Sequence, residues 1–87
     1  MDIRLLTYFL TVARTGNITR AAEQLHITQP TLSRQMQELE EELGTELLER
    51  GKRKTTLTPA GELLKERAEE IVSLVDKTKT YVMTSTT

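Results

Sequence analysis

Side chains that offer paired hydrogen bonds are grouped at the start of one predicted helix. Thr28 is a suitable N-cap and Pro30 suits a first helical turn, so this helix is predicted to begin at about Gln29. The group consists of Thr28, Gln29, Pro30, Thr31, Ser33, Arg34 and Gln37. Gln and Arg can form paired hydrogen bonds with base edges, and Ser and Thr can bond bases or phosphates. At the positive end of a helix dipole, these residues favour insertion of the first two turns into the major groove of DNA.

The same helix carries a second face that suits a protein core. At about 100° per residue, one narrow apolar stripe is formed by Leu32, Met36, Leu39 and Leu43. Gly44 follows as an expected left-handed C-cap that ends the helix. Polar faces are the normal condition of surface helices, so an amphipathic core helix with a solvated face is the alternative interpretation of this segment alone.

A second basic group follows in residues 49–54. Short apolar and β-branched runs at residues 47–48 and 55–58 flank it, and Gly51 permits a turn, which predicts a β-hairpin with a basic tip. The basic residues are Arg50, Lys52, Arg53 and Lys54. Such a tip can neutralise phosphates beside a helix that lies in a groove, whereas the other interpretation is a solvated basic loop.

Two preceding helices must hold the groove-fitting helix in place. Asp2 can cap a helix predicted for Ile3–Thr15, which Gly16 ends. Asn17 can cap a second helix over Ile18–Leu25. The second of these helices and the groove-fitting helix, joined by a short turn, form a helix-turn-helix arrangement.

The last predicted helix begins at Thr58 and Pro59 and runs to about Val82, a length of ~36 Å at about 1.5 Å per residue. Residues 83–87 are expected to fray. Apolar or small residues recur four and three positions apart at Leu64, Ala68, Ile71, Val75, Thr78 and Val82. A small domain can cover the first half of this seam with its own core. We expect the remainder to pair with another helix.

Charge is nearly balanced but unevenly distributed. The 87 residues carry 12 basic and 13 acidic side chains, a net charge of −1 and a pI near 5.8, whereas DNA-binding domains are often strongly basic. Four arginines lie in residues 1–37 against two acids, and the other acids collect at residues 38–49 and 62–76. The chain can therefore present separate basic and acidic surfaces, with a weak, salt-sensitive affinity for non-specific DNA.

Composition argues against several other classes of protein. There is no cysteine, and the one histidine, His26, lies in the turn between two predicted helices without metal-ligand spacing around it. No glycine-rich phosphate loop is present. We therefore expect no enzymatic activity, no metal and no cofactor. No apolar run approaches the ~20 residues needed to span a bilayer and no secretion signal is apparent, so a cytoplasmic protein without membrane attachment is expected.

A series of short motifs stands in register between Leu5 and about Leu74. They are Ala21-Ala22, Leu25, Gln29-Pro30, Ser33-Arg34, Leu39-Glu40, Leu43-Gly44, Arg50 and Leu57-Thr58-Pro59-Ala60-Gly61. At this spacing the chain resembles the N-terminal DNA-binding region of LysR-type transcriptional regulators. The resemblance implies a mainly α fold: a winged helix-turn-helix of three helices plus a short β-hairpin wing, followed by a long C-terminal linker helix.

The resemblance also implies the domain organisation and the partners. Residues 1–58 would form the DNA-binding domain and residues 59–87 a linker helix, which packs antiparallel on its counterpart in a homodimer. Arg53 would reach deepest into the DNA from the wing. Proteins of the family continue into a larger effector-binding domain that senses a small molecule, and some are higher oligomers. Because that domain is absent, the chain is expected to be the DNA-binding fragment of a longer regulator or a stand-alone relative.

Two functions remain open on the sequence. The first is a bacterial, sequence-specific transcription regulator that binds an interrupted inverted repeat of double-stranded DNA as a dimer, with half-sites about 34 Å apart. The second is a helical protein–protein interaction and dimerisation module without DNA binding, which the last helix alone would support. The joint presence of both polar and basic groups favours the first, because a structural dimer needs neither.

Overall fold

Side-chain caps define where the first three helices begin. In the computed structural model, which describes residues 1–85, these helices are α1 (Ile3–Thr15), α2 (Ile18–Leu25) and α3 (Gln29–Leu43). Asp2, Asn17 and Thr28 each accept a hydrogen bond from the main-chain N–H three residues further along, at 3.0, 2.9 and 3.4 Å respectively. Each cap satisfies a donor that the helix itself leaves unpaired. The three predicted helix starts are confirmed.

The ends of these helices are set by residues with left-handed backbone conformations. Gly16, His26 and Gly44 have φ values of 67°, 59° and 70°. The two glycines were predicted as C-caps. His26 was not, because the turn that it makes is normally favourable only for glycine, and it is the one non-glycine residue with positive φ among residues 1–85.

The central helix α1 packs against α2, α3 and the later elements. The main core contains buried residues from four segments: Phe9, Val12, Ile18, Ala21, Ala22, Leu32, Met36, Leu39, Leu47 and Leu48. Because Ala21 and Ala22 are small, α2 can lie close to its neighbours. This core covers one face of α3 and leaves the opposite face to solvent.

One member of the predicted apolar stripe lies outside that core. Leu43 is 40% exposed, whereas Leu39, one turn earlier, is fully buried. The prediction that Leu43 faces the core is therefore wrong. It occupies the last turn of α3, beside the Gly44 cap, and belongs to neither buried cluster of the described chain. Helical periodicity gives the direction of a side chain but not whether a neighbouring element extends far enough to cover it.

The hairpin consists of β1 (Leu48–Arg50) and β2 (Thr55–Leu57), which pair antiparallel with Leu48 opposite Leu57 and Arg50 opposite Thr55. The turn is closed by a hydrogen bond of 2.9 Å from the Gly51 N–H to the Lys54 carbonyl. The predicted hairpin is confirmed, but its tip is shorter than predicted. Residues 49 and 50 belong to β1, so the tip comprises residues 51–54.

The last helix, α4 (Pro59–Ser85), is capped by Thr58, whose hydroxyl accepts a hydrogen bond from the Gly61 N–H at 3.0 Å. A second buried cluster joins α4 to α1: Leu6, Leu10 and Ala68, with Leu64, Ile71 and Val72 packed against it. The first half of α4 thus lies on its own domain, as expected. The second half projects beyond it, and the molecule measures 52 × 26 × 19 Å.

The helix α4 extends beyond Val82, where the sequence predicted a frayed end. Residues 83–85 are helical, and the hydroxyl groups of Thr84 and Ser85 donate to main-chain carbonyls of the preceding turn. The donors of these hydrogen bonds lie within the three residues by which α4 extends beyond Val82. The remainder of the predicted frayed segment, Thr86 and Thr87, lies outside the described residues. No helix within residues 1–85 is both long and apolar enough to cross a membrane.

Candidate nucleic-acid interface

The start of α3 presents an exposed polar face. Pro30, Arg34 and Gln37 are all exposed and lie opposite the buried stripe of Leu32 and Met36. Their spacing of four and three residues places them on one side of the first two helical turns. The predicted groove-facing side is therefore accessible as a continuous surface.

The remaining predicted residues of α3 flank this face. Thr28 and Gln29 are exposed, whereas Thr31 and Ser33 are half-buried. The Thr28 hydroxyl donates to the Thr31 hydroxyl oxygen at 2.8 Å. This bond leaves the Thr31 hydroxyl hydrogen free for an acceptor outside the protein, such as a phosphate oxygen. The cap thus fixes the helix start and orients a hydroxyl group beside it.

Acidic side chains limit how much of α3 can approach a polyanion. Glu38 and Glu41 are exposed, and Glu41 lies on the same side of the helix as Arg34 and Gln37. A phosphate backbone near the second half of α3 would meet like charge. The surface suitable for DNA is therefore confined to the first turns of the helix.

The basic hairpin tip lies beside the N-terminal end of α2. A shallow groove of about 190 Å³ separates residues 51–55 from residues 16–19. The Thr55 N–H donates to the Gly16 carbonyl at 2.9 Å, so β2 is tied to the end of α1. Lys52, Arg53 and Lys54 are exposed in the tip, and Arg50 is exposed on β1. The hairpin therefore carries its cations at the edge of the helix-turn-helix.

None of the five predicted DNA-contacting cations is neutralised within the described part of the chain. Arg34, Arg50, Lys52, Arg53 and Lys54 form no ion pair in residues 1–85, where the recorded pairs are Arg67 with Glu70 and the N-terminus with Glu42. No internal carboxylate has to be displaced before these cations meet phosphates. The arrangement is therefore ready to accept an external anion.

The sequence did not indicate the contact that joins α3 to the hairpin. One carboxylate oxygen of Glu40 accepts hydrogen bonds from the N–H groups of Leu47 and Leu48, at 2.7 and 3.2 Å. In the sequence Glu40 stands at the start of an acidic run, Glu40 to Glu42. Its position next to Leu39 of the apolar stripe was the one local signal of an inward direction, and Glu40 is half-buried.

The residues predicted for dimerisation divide into two groups. Ala68 is fully buried against α1, and Leu64 and Ile71 are partly buried there. Val75 is half-buried, and Thr78 and Val82 are exposed. The structure thus assigns the first three to the domain's own core and leaves the last three accessible.

Four exposed apolar residues of α4 were missing from the predicted seam: Leu63, Leu74, Tyr81 and Met83, with exposures of 59%, 64%, 72% and 71%. Leu74 and Tyr81 stand seven residues apart and so lie on one side of the helix. This heptad spacing was a signal in the sequence, but the more regular series from Leu64 to Val82 masked it.

The chemistry of a catalytic or metal site is not assembled around His26, which is an exposed turn residue. Within residues 1–85, no group of three or more His, Asp and Glu side chains is placed to hold a metal ion.

The capped helix-turn-helix and the antiparallel hairpin beside it define a winged helix-turn-helix protein. Residues 3–62 match the family described as "Bacterial regulatory helix-turn-helix protein, lysR family". This match covers most of the chain, and the protein belongs to the lysR family. The family predicted from the motifs is thereby confirmed.

Similar proteins agree with this assignment. The HTH-type transcriptional regulator BsdA of Bacillus subtilis (strain 168) is 52% identical over 73 residues, which are 83% of this chain and 25% of BsdA. The chain therefore spans about a quarter of that relative's length. The crystal structure of the CbnR_DBD–DNA complex has a TM-score of 0.94 and 41% identity, with full coverage of both chains. The BenM_DBD/benA site 1 DNA complex has a TM-score of 0.96 and 42% identity, covering 100% of this chain and 98% of that one.

Proposed function

We propose that this chain is a sequence-specific DNA-binding domain of a bacterial transcription regulator, and that α3 is its recognition helix. The observation that carries the proposal is the exposed face of Pro30, Arg34 and Gln37, accompanied by a hairpin whose cations form no ion pair within residues 1–85. The chain is similar over its full length to two structures of DNA complexes, and this similarity supports the proposed function. In this role α3 enters the major groove with its first two turns.

Each predicted residue has a role that follows from its chemistry. Arg34, Gln37 and Gln29 read base edges, because guanidinium and amide groups make paired hydrogen bonds there. Thr28, Thr31 and Ser33 bond phosphates or bases at the helix start, and Pro30 packs against the DNA surface. From the hairpin, which we call the wing (residues 48–57), Arg53 enters the minor groove while Arg50, Lys52 and Lys54 contact phosphates.

We assign residues 1–58 to DNA binding and residues 59–87 to a linker segment, whose helix α4 forms a homodimer. The contact uses the projecting half of α4. Its mostly apolar stripe comprises the exposed Leu74, Thr78, Tyr81 and Val82 and the half-buried Val75. These residues recur at spacings of three and four, as in a helix pair. Two recognition helices then reach successive major grooves about 34 Å apart, so the target is an interrupted inverted repeat.

The main alternative is a dimerisation module without DNA binding. It explains the exposed stripe of α4 but gives no purpose to the five cations of α3 and the hairpin, which form no ion pair in the described part of the chain. An enzymatic role has no support from the site, because the exposed face offers hydrogen-bond donors and cations rather than a nucleophile with a base. A regulator of this kind acts in the cytoplasm, where bacterial DNA lies.

The proposal is tested by selecting duplexes from a random pool at low and moderate salt and sequencing those that the protein retains. An interrupted palindrome that survives the higher salt is the expected result. Retention that shows no sequence enrichment and disappears with salt would contradict specific reading, since phosphate attraction alone behaves in this way. No retention at either salt would favour the dimerisation module.

A further inference from the structure

The side chain of Glu40 leaves the acidic face of α3 and reaches the segment that enters the wing. Its Oε2 atom accepts hydrogen bonds from the N–H groups of both Leu47 and Leu48, at 2.7 and 3.2 Å. Hydrogen bonds to a carboxylate are among the stronger ones in proteins. The two leucines are themselves buried, at 2% and 5% exposure, so their N–H groups are largely shielded from water. A partner lost here would be difficult to replace.

Glu40 also holds the beginning of the same connection. Its main-chain carbonyl accepts a hydrogen bond from the Thr45 N–H at 3.1 Å, and the Gly44 N–H donates to the Glu41 carbonyl at 3.2 Å. The chain from α3 to β1 is therefore fastened to one residue at both ends. Since Glu40 is part of the proposed recognition helix, any change in its contacts changes how the wing is mounted on that helix.

The other side of the connection is fixed by the start of α4. The Thr58 N–H donates to the Leu47 carbonyl at 3.0 Å, and the Thr58 hydroxyl donates to the Glu46 carbonyl at 2.6 Å. The peptide groups around Leu47 are thus held from α4 through their carbonyls and from α3 through their N–H groups. Glu40 is the only contribution of α3 side chains to this arrangement among the hydrogen bonds of residues 1–85.

We propose that Glu40 is a positioning residue for DNA binding, which sets the direction of the wing relative to α3 and so allows both to engage one duplex. The proposal rests on the proposed function. It assigns to an acidic residue a favourable effect on binding to a polyanion. A positioned group misplaced by about 1 Å can lose most of its contribution, which is why a remote support matters.

The sign of the effect separates positioning from simple charge. Removal of a carboxylate near DNA reduces repulsion and tightens binding if nothing else changes. Glu41, the next residue, is exposed and makes no side-chain hydrogen bond within residues 1–85, so Glu41→Ala shows this charge effect alone. Glu40→Ala removes the same charge together with the support of the wing. Glu40→Ala is therefore expected to weaken DNA binding, whereas Glu41→Ala is expected to leave it unchanged or to tighten it.

The experiment measures Kd for a selected operator duplex over a series of salt concentrations, for wild type, Glu40→Ala, Glu40→Gln and Glu41→Ala. We expect Glu40→Ala to weaken binding about tenfold. The slope of log affinity against log salt concentration should become shallower by about one to two, since each phosphate contact contributes about 0.9 to that slope. Glu40→Gln keeps an acceptor oxygen and should restore most of the affinity, whereas Glu41→Ala should bind as tightly as wild type or more tightly. Equal or tighter binding by Glu40→Ala would overturn the proposal.

Two further measurements keep the test independent of overall stability. In the double variant with Arg53→Ala, the loss caused by Glu40→Ala should shrink, because the wing contact is already gone; an undiminished loss would show that Glu40 acts elsewhere. Amide hydrogen exchange of the free protein should accelerate at Leu47 and Leu48 in Glu40→Ala while Leu39 stays protected. Unchanged exchange at the two leucines would refute the support itself. If the wild type binds no specific duplex, the proposed function fails, and the exchange experiment still decides the role of Glu40.

Discussion

Gly61 lies directly against the main-chain carbonyl oxygen of Leu47, so close that a β-carbon at position 61 would overlap that oxygen. The contact joins the first turn of α4 to the residue that precedes β1. Because the obstructing atom belongs to the backbone, a rotamer change cannot relieve the overlap. The helix α4 can therefore approach the base of the hairpin only with glycine at this position.

Replacement of Gly61 by alanine is expected to destabilise the fold. Alanine favours a helix over glycine by about 1 kcal/mol, so helix propensity alone would stabilise the variant. The steric overlap acts in the opposite direction and should cost about 1 to 3 kcal/mol net, as overpacked sites do. Urea unfolding followed by circular dichroism measures the difference. A gain in stability for Gly61→Ala would show that α4 can shift away from Leu47 at no cost.

The turn of the helix-turn-helix should be stabilised by replacing His26 with glycine. His26 holds φ at 59°, where a β-carbon is unfavourable by about 1 to 2 kcal/mol. Glycine removes this strain but loses more entropy on folding, so we expect a net gain of about 0.5 to 1 kcal/mol. The urea midpoint should rise with an unchanged m-value.

The matched control is His26→Ala. It removes the same exposed imidazole ring but keeps the β-carbon in the left-handed region. No gain is expected from it. A similar gain in both variants would assign the effect to loss of the ring rather than to relief of backbone strain.

The helices were predictable because their signals are local. Asp2, Asn17 and Thr28 cap amides three residues away, and Gly16 and Gly44 mark helix ends, so short windows of sequence contain the necessary information. The polar face of α3 follows from helical periodicity in the same way. Its accessibility and the exposed position of the basic tip could therefore be predicted.

Features that depend on distant partners could not be predicted. The contact of Glu40 with Leu47 spans a C-cap and a turn, and the approach of Gly61 to Leu47 depends on how two elements are packed. Leu43 fits the apolar stripe but is left 40% exposed by the elements of residues 1–85. For Ala68, periodicity could not decide between the domain's own α1 and a partner helix, because both use the same spacing.

Arg34→Ala is expected to reduce binding of the selected operator by about 1 to 3 kcal/mol and to relax the base preference in each half-site. The reason is that a guanidinium group paired with a base edge distinguishes that base from the others. Affinity for a panel of operators with single base changes measures the effect. A uniform loss over the whole panel would make Arg34 a phosphate contact instead.

Lys52→Ala and Lys54→Ala should behave differently from Arg34→Ala. Each should weaken all duplexes to a similar extent and lower the salt slope by about one, because a phosphate contact carries no sequence information. The same operator panel at several salt concentrations tests this. A change in base preference with either lysine variant would place that side chain in a groove.

Leu74→Asp is expected to dissociate the proposed dimer. Leu74 is 64% exposed on the stripe that it shares with Thr78 and Tyr81, and a carboxylate buried in a helix pair without a partner is strongly unfavourable. Sedimentation equilibrium at high micromolar concentration should show a dimer for the wild type and a monomer for this variant. Ser73→Asp is the control, because it adds the same charge about 100° around α4 from Leu74, where Ser73 lines a groove between α1 and α4. If Ser73→Asp dissociates the dimer and Leu74→Asp does not, the interface lies at the groove between α1 and α4 instead. A monomeric wild type would contradict dimerisation through this helix.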